Sequence, residues 1–207
     1  MRYADLTEEK KLWGIGFRSV VGLDEAGRGP LAGPVVAAAV CLKSDVQQVL
    51  PKIRDSKKLS DSQRSELYGK LTEHPAVSFG VGVISEKIID EVNILEATKL
   101  AMHKALEQLG THPDMLLIDG NFPVYARIPQ QSISGADERV YSCSAAGIIA
   151  KVTRDRIMHQ AHALFPDYGF DRHKGYGTAL HLAKLDSLGP CQIHRMTFYP
   201  VSTVAKN

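Results

Sequence analysis

Cysteine is scarce and scattered: Cys41, Cys143 and Cys191 are odd in number, far apart and outside any C-x-x-C spacing. That excludes a disulfide-stapled scaffold and a zinc ribbon, and leaves free thiols as the expectation. No stretch approaches the roughly 20 uncharged apolar residues that a membrane-spanning helix needs. The opening segment MRYADLTEEKKLWGIGFRSV mixes charges where a secretory signal would be apolar, so the expected compartment is the cytoplasm. Internal repeats, low-complexity runs and Pro/Gly/Ser linkers are absent too, as are a G-x-x-x-x-G-K-[ST] phosphate loop and a G-x-S-x-G serine elbow. What remains is an ordinary globular composition, 44% apolar and 23% charged over 207 residues, with room for one well-buried core.

An excess of either sign of charge is also nearly lacking overall, at 25 Lys plus Arg against 23 Asp plus Glu. Dividing the chain shows what the total hides: residues 139–207 carry nine basic side chains against four acidic, a balance of +5, and the preceding 138 residues carry −3. An acidic part joined to a basic part suits a metal site beside a polyanion-binding surface; a solvated charged face is the other reading.

Strand-like and helix-like segments alternate, which predicts one α/β domain over residues 1–207, with about 177–207 as a C-terminal helical extension. Ser19 to Leu23 and Val35 to Leu42 read as buried strands joined by a hairpin-like GRGPLAG turn. Ser60 to Glu73 reads as a helix opened by a Ser60-x-x-Gln63 capping box, and Ala76 to Ile84 as a third strand. After Ser85 a helix places Leu95, Met102, Leu106 and Leu109 on one face and stops at Gly110. Met115 to Ile118 and Val124 to Ile128 complete the strands, Ser142 to Leu164 forms a long helix, and Thr178 to Leu188 a shorter one.

Chemistry concentrates where apolar strands end in acids. VVGLDEAGRG ends in Asp24 and Glu25, LLIDG ends in Asp119, and Asp137 follows in a polar loop before the long helix. Neighbouring strand residues point to opposite faces, so Asp24 and Glu25 serve one site only if the chain bends at Glu25; a charged turn is the alternative. Carboxylates meeting at a sheet edge form a hard-oxygen site suited to Mg²⁺ or Mn²⁺. Four acids and two divalent ions are near neutral together, so the loaded site accepts a phosphodiester, and two ions flanking a phosphorus suit its hydrolysis. Beside the acids, Gly27 and Gly29 allow close backbone approach to a ligand and Arg28 offers a planar fork for phosphate. Ser56, Lys57 and Lys58, and the helical pair Lys151 and Arg154, are candidate phosphate contacts or solvated charges. YGFDRHKGYGT gathers Tyr168, Phe170, His173, Lys174 and Tyr176 on a glycine-supported loop, which suits stacking on a sugar or base as well as a core-capping turn. His103, His159, His162, His173, His181 and His194 show no zinc-ligand spacing, and structural or surface roles are expected of them.

Taken in order, DEAGRGPLAGPVVAAAV, DSKKLS, NILEATKLAM, LLIDG, SAAGIIAKVTRDR, YGFDRHKGYGT and HRMTFYPV resemble the bacterial ribonuclease HII signature from about Val20 to Val201. The resemblance implies an α/β, RNase H-like mixed β-sheet flanked by helices, with a helical C-terminal segment. It implies metal-dependent hydrolysis of RNA paired to DNA and incision of duplex DNA 5′ to an embedded ribonucleotide, leaving a 3′-hydroxyl and a 5′-phosphate. By the same resemblance Asp24, Glu25, Asp119 and Asp137 hold Mg²⁺ or Mn²⁺, two ions in the substrate complex. Gly27, Arg28 and Gly29 read the ribonucleotide 2′-hydroxyl and nearby phosphates, and Tyr176 packs on the next deoxyribose. Ser56, Lys57, Lys151 and Arg154 complete the expected substrate-binding set. The expected partners are RNA/DNA hybrid and ribonucleotide-containing duplex DNA, with no membrane and no obligate protein partner. A non-catalytic hybrid-binding protein and another metal-dependent nuclease on the same scaffold are the alternatives.

Two departures from the family pattern stand out. Gly135-Ala136-Asp137 replaces the usual Lys-Gly-Asp, and Gly147 replaces the second serine of Ser-Ala-Ala-Ser. The related ribonuclease HIII type adds an N-terminal domain, for which the roughly 18 residues before the first strand are too few.

Overall fold

The computed structural model describes residues 3–42 and 50–204. In chain order its elements are helix α1 (Thr7–Gly14), strands β1 (Val20–Ala26) and β2 (Val35–Leu42), helix α2 (Asp61–Thr72), strand β3 (Val77–Ile84), and helices α3 (Glu86–Val92) and α4 (Ile94–Glu107). Strands β4 (Met115–Asp119) and β5 (Gln130–Ile133) follow, then helices α5 (Tyr141–Leu164), α6 (Phe170–His173), α7 (Ala179–Leu188) and α8 (Val201–Val204). The five strands form one mixed sheet in the order β3-β2-β1-β4-β5. β1 and β2, and β2 and β3, are antiparallel; β4 is parallel to both β1 and β5. No helix among the described residues is long and apolar enough to cross a membrane.

Helices cover both faces of the sheet, which explains why β2 reads VVAAAVCL without alternation: every residue is buried. Val35, Ala37 and Ala39 pack with α4 residues Ala101, Met102 and Ala105, while Val36, Ala38 and Val40 pack with α5 residues Ala145, Ile148 and Ile149. The central strands are therefore held from two sides, and their ends are fixed points for whatever they carry. The Ser60 capping box forms as expected, with Ser60 Oγ accepting from Gln63 N–H and Gln63 Oε1 accepting from Ser60 N–H, an arrangement worth about 1 kcal/mol.

Two expectations are corrected, and one element is added. The fifth strand is Gln130–Ile133 and not Val124 to Ile128, because the Gln130 side chain binds both Val124 N–H (2.8 Å) and Val124 O (3.3 Å) and occupies the groups a ladder would use. The helix after Ser85 is two helices, broken at Asn93 (φ 71°), whose side chain accepts from Leu95 and Glu96 N–H and starts α4 afresh. Helix α1 lies in a segment read only for its charges; it is anchored by buried Glu9, which accepts from Ser142 N–H at 2.8 Å and Oγ at 2.7 Å.

The connection between β1 and β2, residues 27–34, is a structured loop and not a tight turn. Leu31 N–H donates to Gly175 O (2.8 Å), Gly33 N–H to Ile193 O (2.8 Å), and Arg195 N–H to Leu31 O (2.9 Å), so the C-terminal segment is stitched to it. Tyr168, Phe170, Met158 and Ala32 form a small apolar cluster beneath that seam.

Candidate active site

Parallel pairing puts Leu23 beside Ile118, so the next residues, Asp24 and Asp119, leave adjacent central strands side by side. Asp137 arrives from a 3₁₀ turn, Ala136–Glu138, immediately before α5. Asp24, Asp119 and Asp137 each offer a carboxylate oxygen, and the three lie within 4.8 Å of one another, the one such group among the described residues. Asp119 is oriented by Ala136 N–H, which donates to its Oδ1 at 2.7 Å, so the turn carrying Asp137 is tied directly to the strand end.

The expected bend at Glu25 is absent. The ladder continues through Glu25 opposite Ala37 and Ala26 opposite Val36, which sends Glu25 to the face opposite Asp24. Glu25 is still near enough for the Asp119 and Lys57 charges to act on it, and its Oε1 accepts from Arg28 at 3.3 Å. Its Oε2 is buried with no hydrogen-bond partner. Unsatisfied buried carboxylate oxygens are costly and call for a ligand, water or ion.

Electrostatics say the same. Burial first, then the charges of Glu25 and Asp119, push the Asp24 carboxyl well above the usual carboxylate range. Burial also raises Glu25, against the pull of Arg28, and burial with Asp137 raises Asp119. Such a cluster cannot ionise fully without compensating positive charge. Lys57 supplies part of it: Nζ sits 3.1 Å from Asp137 Oδ2, and although desolvation opposes its charge, Asp137, Asp24 and Asp55 raise its pKa. A hard divalent cation fits both the donor set, all oxygen, and the orphaned Glu25 atom.

Gly147 explains itself here. A Cβ on it would lie 2.2 Å from Asp24 Oδ2, so the bare α5 backbone leaves the seat that this carboxylate occupies. Gly135 adopts φ 68° in open space at the start of the Asp137 turn.

The expected substrate-binding residues fall into three settings. Gly27, Arg28 and Gly29 border the acids; Gly27 has φ 96°, and Arg28, with 43% of its side chain exposed, lies over the Phe122 ring. Ser56 is buried on a 3₁₀ turn capped by Asp55, and Lys57 projects from that turn with 76% of its side chain exposed. Tyr176 is 40% exposed, with Lys151 Nζ and the Arg154 guanidinium each 5.7 Å from its ring centre. Lys151 is also paired with Asp155 at 2.7 Å. Arg154, expected at phosphates, is completely buried and turned inward: it donates to Pro34 O (2.9 Å), Lys174 O (2.9 Å) and Ala32 O (3.1 Å). No face of it is left for a phosphate.

Two features escaped the sequence. Arg195 is fully buried and donates to the carbonyls of Gly27 (2.6 Å), Arg28 (2.8 Å), Gly33 and Pro34. His173, His181 and His194 come together in the C-terminal segment, with His173 stacked on His181 at 4.3 Å and His181 Nε2 3.0 Å from His194 Nε2. Neither follows a spacing rule, because the partners come from separate segments of the chain; the place of Arg195 in HRMTFYPV was the only signal.

Comparison with known proteins agrees with this geometry. The ribonuclease HII family profile matches residues 21–201. A ribonuclease HII of Chlamydia trachomatis serovar L2 is 54% identical over 186 residues, covering 90% of this chain and 84% of its own. The ribonuclease HII of Geobacter sulfurreducens is 52% identical over 183 residues, 88% of this chain and 83% of its own. The crystal structure of ribonuclease H2 from Pyrococcus horikoshii OT3 superposes with a TM-score of 0.75 at 27% identity, covering 91% of this chain and 97% of that one.

Proposed function

The chain belongs to the ribonuclease HII family and is an endoribonuclease acting on RNA/DNA hybrids, and we propose that it also cuts duplex DNA on the 5′ side of an embedded ribonucleotide, leaving a 3′-hydroxyl and a 5′-phosphate. The carrying observation is the meeting of three carboxylates within 4.8 Å beside the Gly27–Gly29 backbone. Asp24, Asp119 and Asp137 would hold Mg²⁺ or Mn²⁺, with Glu25 offering its free oxygen from the other face of the sheet. When bound, the metal supplies the positive charge that admits a phosphodiester and lowers the pKa of water.

The chain's own groups then set which phosphodiester is admitted. Lys57 and Arg28 each pair with one acid, Asp137 and Glu25 respectively, and each keeps a solvent-facing side chain for the flanking phosphates. The Gly27–Gly29 backbone offers both donors and acceptors, matching a 2′-hydroxyl, which donates and accepts. The half-exposed Tyr176 ring offers an apolar face to the following sugar, where a ribose hydroxyl would be crowded. Lys151, against the same ring, adds a backbone-phosphate contact.

Comparing Tyr176→Phe with Tyr176→Ala tests the sugar reading. Phe keeps the ring and Ala removes it, so Ala should cost more, and more at a single ribonucleotide than on a long hybrid. Equal loss on both substrates would remove Tyr176 from the specificity determinants.

A further inference from the structure

Two arginines are buried under the glycine loop without an acid partner. Neither Arg154 nor Arg195 forms a salt bridge among the described residues, and both guanidiniums are satisfied by backbone carbonyls alone. Burial of such charge is expensive, and well-packed apolar side chains usually serve stability at least as well. Their carbonyl contacts therefore point to a geometric role. Burial lowers the pKa of both, and the nearby Arg154 adds to the effect on Arg195, which is pushed down to about 9.

The two differ in what they join. All of Arg195's acceptors, Gly27, Arg28, Gly33 and Pro34, belong to one loop. Arg154 spans two: Nε and Nη2 hold Pro34 O and Ala32 O, while Nη1 holds Lys174 O, two residues before Tyr176, whose ring also faces the guanidinium. The fit is close, since a Cβ on Gly27 would lie 2.1 Å from Arg154 Nε, and one on Gly175 would lie 2.4 Å from Ala32 O. We infer that Arg154 is a positioning residue, a strut that fixes the distance between the Gly27–Gly29 backbone and Tyr176, and thereby the preference for a ribonucleotide followed by a deoxyribonucleotide. This rests on the sugar reading proposed above. A planar fork holding carbonyls on both loops sets separation and angle together, which a single ammonium cannot do.

The test measures cleavage of a single-ribonucleotide duplex and of a uniform RNA/DNA hybrid by wild type, Arg154→Lys, Arg195→Lys, Tyr176→Ala and the Arg154→Lys/Tyr176→Ala double variant. Arg154→Lys should reduce the junction-over-hybrid preference roughly tenfold, the scale of one lost hydrogen bond to a charged group. The double variant should lose no more preference than Tyr176→Ala, because both changes act on the same distance. Arg195→Lys should slow both substrates by similar factors, since both need the glycine loop. The salt dependence of binding should be unchanged in Arg154→Gln, which removes the charge; a slope lower by about one would make Arg154 a phosphate contact and overturn the strut. Near-UV circular dichroism checks folding, and Arg154→Gln, which drops the charge and keeps two N–H donors, is the second variant should Lys not fold. If Tyr176→Ala loses the preference while a folded Arg154 variant keeps it, the strut alone is wrong. If wild type has no junction preference, the sugar reading beneath it fails first.

Discussion

Acid should remove a calculable part of this protein's stability through one buried imidazole. His194 is 1% exposed; burial first and His181 second push it from the ordinary 6.5 down to about 4. Hydrogen bonds assign the protons. Cys191 N–H donates to His194 Nδ1 at 2.9 Å, so the His194 proton sits on Nε2 and points at His181 Nε2, 3.0 Å away. His181 then keeps its proton on Nδ1, 2.9 Å from Tyr176 O. A second proton on either ring sets N–H against N–H. The fold thus favours neutral His194, while the unfolded chain takes up a proton near its ordinary value. Stability is therefore lost as pH falls from about 6.5 toward about 4, with no loss above that window. Each tenfold difference in proton affinity is worth about 1.4 kcal/mol, which gives about 3 kcal/mol at the acid end of the window. His181 and His173, also lowered by burial, add in the same sense. The raised carboxyls of the metal-free site act oppositely, gaining stability as pH falls, and comparison with a variant cancels them. Urea unfolding of wild type and His194→Gln from about pH 7.5 to about pH 4.5 should show a variant less stable at neutral pH but with a flatter profile, the gap closing by about 2–3 kcal/mol. Parallel profiles across that range would refute the proton assignment.

Gly147→Ser should turn the Asp24 carboxylate from its seat and raise the Mg²⁺ concentration needed for half-maximal thermal stabilisation by roughly tenfold; an unchanged thermal titration would mean that Asp24 moves freely. Removing the Lys57 charge with Ala should lower the log–log salt slope of hybrid binding by about one, and an unchanged slope would confine Lys57 to its pairing with Asp137. Lys151→Ala should have the same effect on the slope, unless its ion pair with Asp155 is its whole role.

How much of this was legible follows from where each residue gets its neighbours. Asp24 and Asp119 were legible because a buried strand followed by an acid can only present that acid at the sheet end, and parallel pairing then places the two together. The Ser60 cap was legible because its partner is three residues away. Val124 to Ile128 misled because β-branched and apolar residues suit a strand, yet a side chain six residues on had already claimed the backbone. Arg154 misled for a related reason: at i+3 from Lys151 it shares that residue's helical side in sequence, but the glycine loop, more than 100 residues earlier, encloses it. The histidine cluster joins α6, α7 and the segment after them, and no periodicity encodes how those pieces sit together.

Cleavage of an end-labelled DNA duplex carrying one ribonucleotide, by wild type and Asp119→Asn with and without Mg²⁺ or Mn²⁺, bears most directly on the acid cluster as a metal-dependent catalytic centre. Wild type should make one cut 5′ to the ribonucleotide only when metal is present, and Asp119→Asn should be slower by roughly a hundredfold or more while still binding the duplex. A cut that persists with a chelator, or an Asp119→Asn enzyme as fast as wild type, would contradict it.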